Sequence, residues 1–238
     1  MTNAQIFRFK NFEINQSDCA MKVGTDGILL GAWCDISMSK HVLDIGTGTG
    51  LITLMIAQRN EKVKIVAVEI DQDSCQQAEQ NFQESPWSQR IQTVKGSIQE
   101  YSSNNDQSFD HIVCNPPFFS GGTLSANQDK NNVRHTIKLS HQDLLRSVRS
   151  LLSNDGKFSV ILPLIEGLRF TELAETYGFY KNRMCEIKSH ADGKVERLLL
   201  ELSKTKSEAK NSEIVIYKSE KVYSDEFTKL TKDFYLNM

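Results

Sequence analysis

The sequence is short of the features that mark unusual protein classes. Only 4 of its 238 residues are proline and 13 are glycine, too few for a collagen-like or low-complexity chain. Its five cysteines, at 19, 34, 75, 114 and 185, form no Cys-x-x-Cys pair and no Cys/His spacing of a zinc site. Reduced, buried thiols are therefore expected, with no disulfide framework and no metal. No stretch approaches the roughly 18 consecutive apolar residues of a membrane span. Residues 1–14 interrupt their apolar positions with Arg8, Lys10 and Glu13, so a secretory signal is not expected and a cytoplasmic location is. An excess of one charge is missing too. Lys plus Arg number 28 against 30 Asp plus Glu, a formal net charge of -2, so any attraction for a polyanion must be local.

What is present is an ordinary core-forming composition, 39% hydrophobic and 24% charged, enough for one globular domain at this length. From residue 41, β-branched runs at 41–45, 63–69, 91–94, 109–114 and 157–162 alternate with helical spacing over 50–59, 71–84, 140–152 and 164–177. This pattern predicts an α/β fold, a parallel sheet with helices on both faces. Two more strands, 179–188 and 195–202, flank Asp192-Gly193, a hairpin signal that brings an antiparallel strand into the sheet. Seven strands ending in such a hairpin resemble the Rossmann-like sheet of S-adenosylmethionine (AdoMet) methyltransferases. The chain thus divides into a segment over 1–40, a core over 41–202, and an ending over 203–238. In the ending, a polar stretch at 203–213 precedes a strand at 214–217. Ser224 then caps a helix carrying Phe227, Leu230 and Phe234 on one face.

Asp44-Ile-Gly-Thr-Gly-Thr-Gly50 follows the first core strand. Gly46, Gly48 and Gly50 allow a tight turn and close approach of a ligand to the backbone. The spacing is G-x-G-x-G, not the G-x-G-x-x-G of a pyrophosphate cradle, and Asp44 places a carboxylate beside it. A carboxylate suits the cationic methionine end of AdoMet. Glu69, at the end of the second core strand, is placed to accept hydrogen bonds from the two ribose hydroxyls. Ser97 follows the third strand, where a hydroxyl can meet the cofactor adenine or simply serve a turn.

The fourth strand ends in Asn115-Pro116-Pro117-Phe118. Consecutive prolines make a rigid, non-helical exit with free carbonyls at the ligand end of the sheet. An exocyclic or amide nitrogen is a poor nucleophile because its lone pair is delocalised. The Asn115 side-chain oxygen and the Pro116 carbonyl can accept its two hydrogens and aim the lone pair at a methyl donor. Phe118 is positioned to stack on an extruded base.

Several segments together carry a narrower resemblance: Phe9-Lys-Asn-Phe12, Cys19-Ala-Met-Lys22-Val23, Thr25-Asp26, Leu29-Leu30-Gly31, Asp44 to Gly50, Ser85-Pro86-Trp87 with Arg90-Ile91, Asn115 to Phe119, Arg134-His135, Leu139-Ser140-His141, Tyr223-Ser224 and Asp233-Phe234-Tyr235-Leu236. On these the chain resembles the bacterial tRNA (adenine-N6)-methyltransferases that modify adenine 37, next to the anticodon, of a valine tRNA. The resemblance implies AdoMet as cofactor, tRNA as partner, and Asn115 and Phe118 in the target pocket. It also implies that Lys22, Thr25 and Asp26 close over the cofactor; a helix start capped by Thr25 or Asp26 is the structural alternative. Ser97 departs from the family, which commonly has Asp there.

Between the target motif and residue 139 the chain carries Lys130, Arg134, His135 and Lys138 against one acid, Asp129. Phe119, Lys130, Arg134 and His135 are candidate substrate contacts, and a solvated loop is the alternative. Lys-bearing segments at 181–183, 188 and 204–210 are interleaved with glutamates and read as a solvated face. A monomer is expected. Three other activities stay open from sequence: glutamine-N5 methylation of a protein such as a release factor, adenine methylation of ribosomal RNA, and RNA binding on an inactive methyltransferase fold.

Overall fold

The computed structural model describes residues 5–17, 19, 21–117 and 139–238. The chain opens with a small antiparallel hairpin, β1 (Ile6–Arg8) and β2 (Glu13–Asn15), which sequence periodicity does not reveal. It is stitched to the far end of the chain: Lys10 N–H donates to the Phe234 carbonyl at 2.8 Å, and Phe9 bridges to Tyr235. Helix α1 (Thr25–Trp33) follows. Its cap residue is Gly24, with no side-chain cap, so neither Thr25 nor Asp26 is the N-cap; they are the first two helical residues.

The core then runs β3 (His41–Ile45), α2 (Leu51–Arg59), β4 (Lys64–Glu69), α3 (Gln72–Gln83), β5 (Ile91–Lys95), α4 (Ile98–Asn104) and β6 (Phe109–Cys114). From residue 139 onward come α5 (His141–Leu151), β7 (Leu152–Pro163), α6 (Leu164–Thr176), the hairpin β8 (Tyr180–His190) and β9 (Val195–Ser203), then β10 (Lys210–Ser219), β11 (Val222–Tyr223) and α7 (Asp225–Thr231). Each expected core element is present. Helix α4 is an addition, with Ile98 and Tyr101 buried and the rest polar, too weak an apolar pattern to read.

The main sheet has the order β11-β10-β8-β9-β7-β6-β3-β4-β5. It contains the seven expected strands, but two more extend it beyond β8. The expected strand at 214–217 is in fact the ten residues of β10, which pairs parallel with β8 from Lys210. That edge pairing recruits the polar residues 210–213, which were expected in a connection. The β8–β9 hairpin turns at Gly193, whose N–H donates to the His190 carbonyl at 2.9 Å.

Alternation along the strands sorts the core onto two faces. Leu43, Ile112, Val160 and Leu200 pack with Leu144, Leu145, Val148 and Phe170 of α5 and α6. Val42, Ile65, Val113 and Ile161 pack with Leu29, Leu30 and Trp33 of α1, Ile52 and Ile56 of α2, and Phe227 of α7. Helices thus cover both faces, and Ser224 caps α7 as expected, accepting from the Phe227 N–H at 3.0 Å. All five cysteines are buried and unbridged. No described helix is long and apolar enough to cross a membrane.

Candidate active site

The strand ends converge at one edge of the sheet. Ile45 of β3 is level with Val68 of β4 and with Cys114 of β6, so the glycine loop, Glu69 and Asn115 emerge side by side. A cleft of about 450 Å³ opens there. Its walls include Lys22, Thr25 and Asp26 from the N-terminal segment, Gly46 to Thr49 from the loop, Asn115, and Arg197 and Tyr217 from the extended edge.

Asp44 is fully buried on the α2 side of β3. Its Oδ2 accepts from Thr47 Oγ1 at 2.7 Å and Thr53 Oγ1 at 2.8 Å, while Oδ1 has no partner among the described residues. Desolvation outweighs those two hydrogen bonds, and with the nearby Glu69 charge it pushes the carboxyl up to about 6. A buried acceptor left half satisfied is a costly arrangement unless a ligand completes it.

Gly46 and Gly48 have φ of +70° and +57°, and a Cβ on either would meet nothing within 4 Å. Their backbone faces open space in a conformation that L side chains avoid, which makes a cradle. Glu69 secures it: Oε2 accepts from Gly48 N–H at 2.8 Å and Oε1 from Asp71 N–H at 2.9 Å. The carboxylate thereby fixes the loop and keeps a second lone pair on each oxygen for a ligand.

Asn115 is half-buried directly beyond β6, and its Oδ1 is buried without a partner among the described residues. Pro116 is buried beside it. Lys22 is engaged locally, its Nζ donating to the Gln16 carbonyl, while Gln16 Oε1 accepts from Val23 N–H at 2.8 Å. The N-terminal segment is therefore held as a wall of the cleft by its own side chains. Ser97 is elsewhere occupied. It caps α4 in a reciprocal box, accepting from Glu100 N–H at 3.1 Å and donating to Glu100 Oε2 at 2.9 Å. Phe118, Phe119, Lys130, Arg134 and His135 lie outside the described residues.

Two cleft residues escaped the sequence reading. Arg197, on β9, donates through Nε to Asp26 Oδ2 at 2.9 Å. Tyr217, on β10 at the extended edge of the sheet, also lines the cleft. Neither sits in a recognisable motif; strand order brings them in. The Ser85-Pro86-Trp87 and Arg90 segment, in contrast, is scaffold. The Arg90 guanidinium donates to the carbonyls of Ala57, Asn60 and Val63, and Trp87 packs edge-on to Phe12.

The residues fit AdoMet: Asp44 behind the loop, with a buried carboxylate oxygen unpartnered among the described residues for a cationic end, an open glycine cradle, and Asn115, also with an unpartnered amide oxygen, on the wall of the same cleft. Among the described residues no cluster of His, Cys, Asp and Glu is arranged to hold a metal. Residues 21–162 match the family model described as the methyltransferase small domain. The tRNA1(Val) (adenine(37)-N6)-methyltransferase of Histophilus somni (strain 2336) is 44% identical over 238 residues, covering 100% of both chains. Among solved structures, a predicted O-methyltransferase, protein Atu636 from Agrobacterium tumefaciens, superposes with a TM-score of 0.68 at 16% identity, over 88% of this chain and 96% of that one. The glycopeptide N-methyltransferase MtfA complexed with (S)-adenosyl-L-methionine does so with a TM-score of 0.55 at 14% identity, over 77% of this chain and 100% of that one. Those two likenesses speak for the fold, and the full-length relative speaks for a narrower kinship: this chain belongs to the methyltransferase small domain family and, within it, to the tRNA1(Val) (adenine(37)-N6)-methyltransferases.

Proposed function

We propose that this protein transfers a methyl group from AdoMet to the exocyclic N6 of adenine 37 of a valine tRNA. The observation that carries the reading is Asn115 at the end of β6, which lines the same cleft as the glycine cradle and whose buried Oδ1 has no hydrogen-bond partner among the described residues. Bound in that cradle, AdoMet supplies an electrophilic methyl on a sulfonium. Asn115 Oδ1 accepts one hydrogen of the target amine and the Pro116 carbonyl accepts the other, so that the nitrogen lone pair points at the donor. Asp44 balances the positive charge of the cofactor, and Gly46, Gly48 and Gly50 shape its seat with Glu69 beneath. No strong base is required, because the amine proton becomes acidic as the methyl arrives and leaves to solvent.

The same reading assigns Phe118 to stacking on the extruded adenine, and Phe119, Lys130, Arg134 and His135 to the nucleotides around it. Lys22, Thr25 and Asp26 wall the cofactor in, and Ser97 is a contact to its adenine in addition to capping α4. The protein acts as a cytoplasmic monomer, with residues 1–40 and 203–238 belonging to one catalytic domain.

The test offers methyl-labelled AdoMet with unmodified tRNA, ribosomal RNA and a release factor in parallel, followed by nucleoside analysis. Label is expected as N6-methyladenosine in tRNA, and Asn115→Ala should abolish it while AdoMet still binds. Label confined to ribosomal RNA or protein, or none despite bound AdoMet, overturns the proposal.

A further inference from the structure

The glycine loop borders the cleft, and its peptides are held one by one. Gly50 N–H donates to the Thr47 carbonyl at 2.9 Å, which closes the turn from within. Glu69 takes the Gly48 N–H from the β4 side. The Thr49 carbonyl is held from α3, where Asn81 Nδ2 donates to it at 2.8 Å. Between these anchors, the Gly48–Thr49 peptide has neither its carbonyl nor its N–H paired among the described residues, and both residues line the cleft.

Asn81 lies in the last turn of α3 and is 2% exposed, so its carboxamide must find partners within the protein. It finds them outside its own helix. Besides serving Thr49, Nδ2 donates to the Asn15 carbonyl at 2.8 Å, and Oδ1 accepts from the Asn15 N–H at 3.0 Å. The carboxamide thus pairs with Asn15 as a neighbouring strand would, at the residue where β2 ends. The chain beyond Asn15 becomes the N-terminal wall of the cleft. Gln16 accepts from Val23 N–H through Oε1 and from Lys22 Nζ through its carbonyl, and Lys22 and Val23 line the cleft. One buried side chain therefore joins two segments that wall the same cavity. Each element has support of its own: α3 buries Ala78 and Phe82 in the core, and β2 pairs with β1. What Asn81 adds is the relation between the segments.

We propose that Asn81 is a positioning residue for AdoMet, setting the glycine loop and the N-terminal wall at one fixed spacing so that the cofactor meets a preformed seat. It acts through the Thr49 carbonyl and the Asn15 backbone, not by touching the cofactor. The inference concerns cofactor binding and holds whichever nitrogen receives the methyl.

The experiment titrates the full-length protein and its variants with AdoMet by calorimetry, alongside urea unfolding and backbone deuterium exchange. Asn81→Ala should weaken AdoMet binding about 10-fold or more. Asn81→Asp keeps the shape and the Oδ1 acceptor but sets an oxygen against two carbonyls, so it should bind no better than Asn81→Ala. KM for AdoMet should rise in step, with kcat at saturating AdoMet within about three-fold of wild type. In ligand-free Asn81→Ala, residues 13–24 and 46–50 should both exchange about five-fold faster or more, with β7 and β9 unchanged. Val148→Ala, in the core on the other face of the sheet, supplies a loss of stability that should leave AdoMet affinity within about two-fold. Gln16→Ala leaves Asn81 in place and cuts the next link toward Val23; it should weaken AdoMet binding about three-fold, and by little more when Asn81 is already Ala. AdoMet affinity undiminished in Asn81→Ala overturns the proposal, as does a loss that Val148→Ala reproduces at equal stability. Should neither Asn81 variant fold, Gln16→Ala decides: unchanged affinity overturns the link, and weakened affinity at wild-type stability upholds it. A wild type that binds AdoMet but methylates no tRNA strikes the proposed function and leaves this binding test standing.

Discussion

Arg197 Nε donates to Asp26 Oδ2 at 2.9 Å, joining the start of β9 to the first turn of α1 across the mouth of the cleft. Both side chains are largely shielded, at 30% and 21% exposure, so the pair is less screened than a surface ion pair. Asp26 also sits where a helix N-terminus favours negative charge, and α1 has no side-chain cap to hold that turn otherwise.

Breaking the bridge should loosen the wall formed by Lys22, Thr25 and Asp26. Arg197→Ala and Asp26→Asn are each expected to weaken AdoMet binding about five-fold, and the double variant by little more, a coupling of about 1 kcal/mol. Calorimetric titration of the four proteins checks this. Fully additive losses would show that the two residues act separately.

Gly50 should tolerate no side chain. It has φ of +84°, and a Cβ there would come within 2.4 Å of the Phe82 ring. Gly50→Ala combines left-handed strain with overpacking and should cost about 2 to 4 kcal/mol in urea unfolding. Adding Phe82→Leu should recover part of that by relieving the clash, while the backbone strain persists. Full recovery would mean that the backbone conformation carries no penalty.

The sequence displayed the parts of this molecule whose signal is local. Three alternate glycines after a β-branched run located the cradle, Asp192-Gly193 located the hairpin, and Ser224 with Phe227 located the last helix. The hairpin of β1 and β2 was invisible because three residues are too few to alternate. β10 was read four residues short at its start because its polar residues gain their place from pairing with β8, not from burial. Arg197 and Tyr217 were missed for a related reason. They reach the cleft only through the order β10-β8-β9 at the sheet edge, and no residue near them in sequence announces that order. The capping box of Ser97 and Glu100 is a local signal of the first kind, a serine three residues before a glutamate, and it accords with the turn role that the sequence left open for Ser97 beside a contact to the cofactor adenine.

Ser97 separates those two roles by experiment. Ser97→Ala removes the cap of α4 and should lower stability by about 1 kcal/mol. If the hydroxyl also meets the cofactor adenine, AdoMet affinity falls with it. Ser97→Asp keeps a good N-cap and supplies a stronger acceptor, so it should bind AdoMet at least as tightly as the wild type. Thermal unfolding paired with calorimetry reads both, and a Ser97→Asp variant that binds AdoMet less tightly would exclude the contact.

Asp44 should make the ligand-free protein pH-sensitive in an unusual direction. Burial raises its carboxyl from the ordinary 3.8 to about 6 in the fold, so the folded state holds the proton more tightly than the unfolded chain. This contribution to stability is fully present below about pH 4 and is lost as the pH rises through 6, a change of about 3 kcal/mol for a gap of that size. Asp44→Asn keeps an acceptor for Thr47 and Thr53 and carries no charge, so its stability should exceed that of the wild type at pH 7.5 and match it near pH 4. AdoMet reverses the balance, because a cationic ligand beside Oδ1 favours the carboxylate. Its affinity should therefore rise between pH 5 and 7, with protons released on binding at pH 6, and both effects should vanish in Asp44→Asn. Urea unfolding across the pH range tests the first half, and calorimetry in buffers of different ionisation enthalpy tests the second. Proton uptake at pH 6, or an unchanged pH profile in Asp44→Asn, would remove Asp44 from the cofactor site.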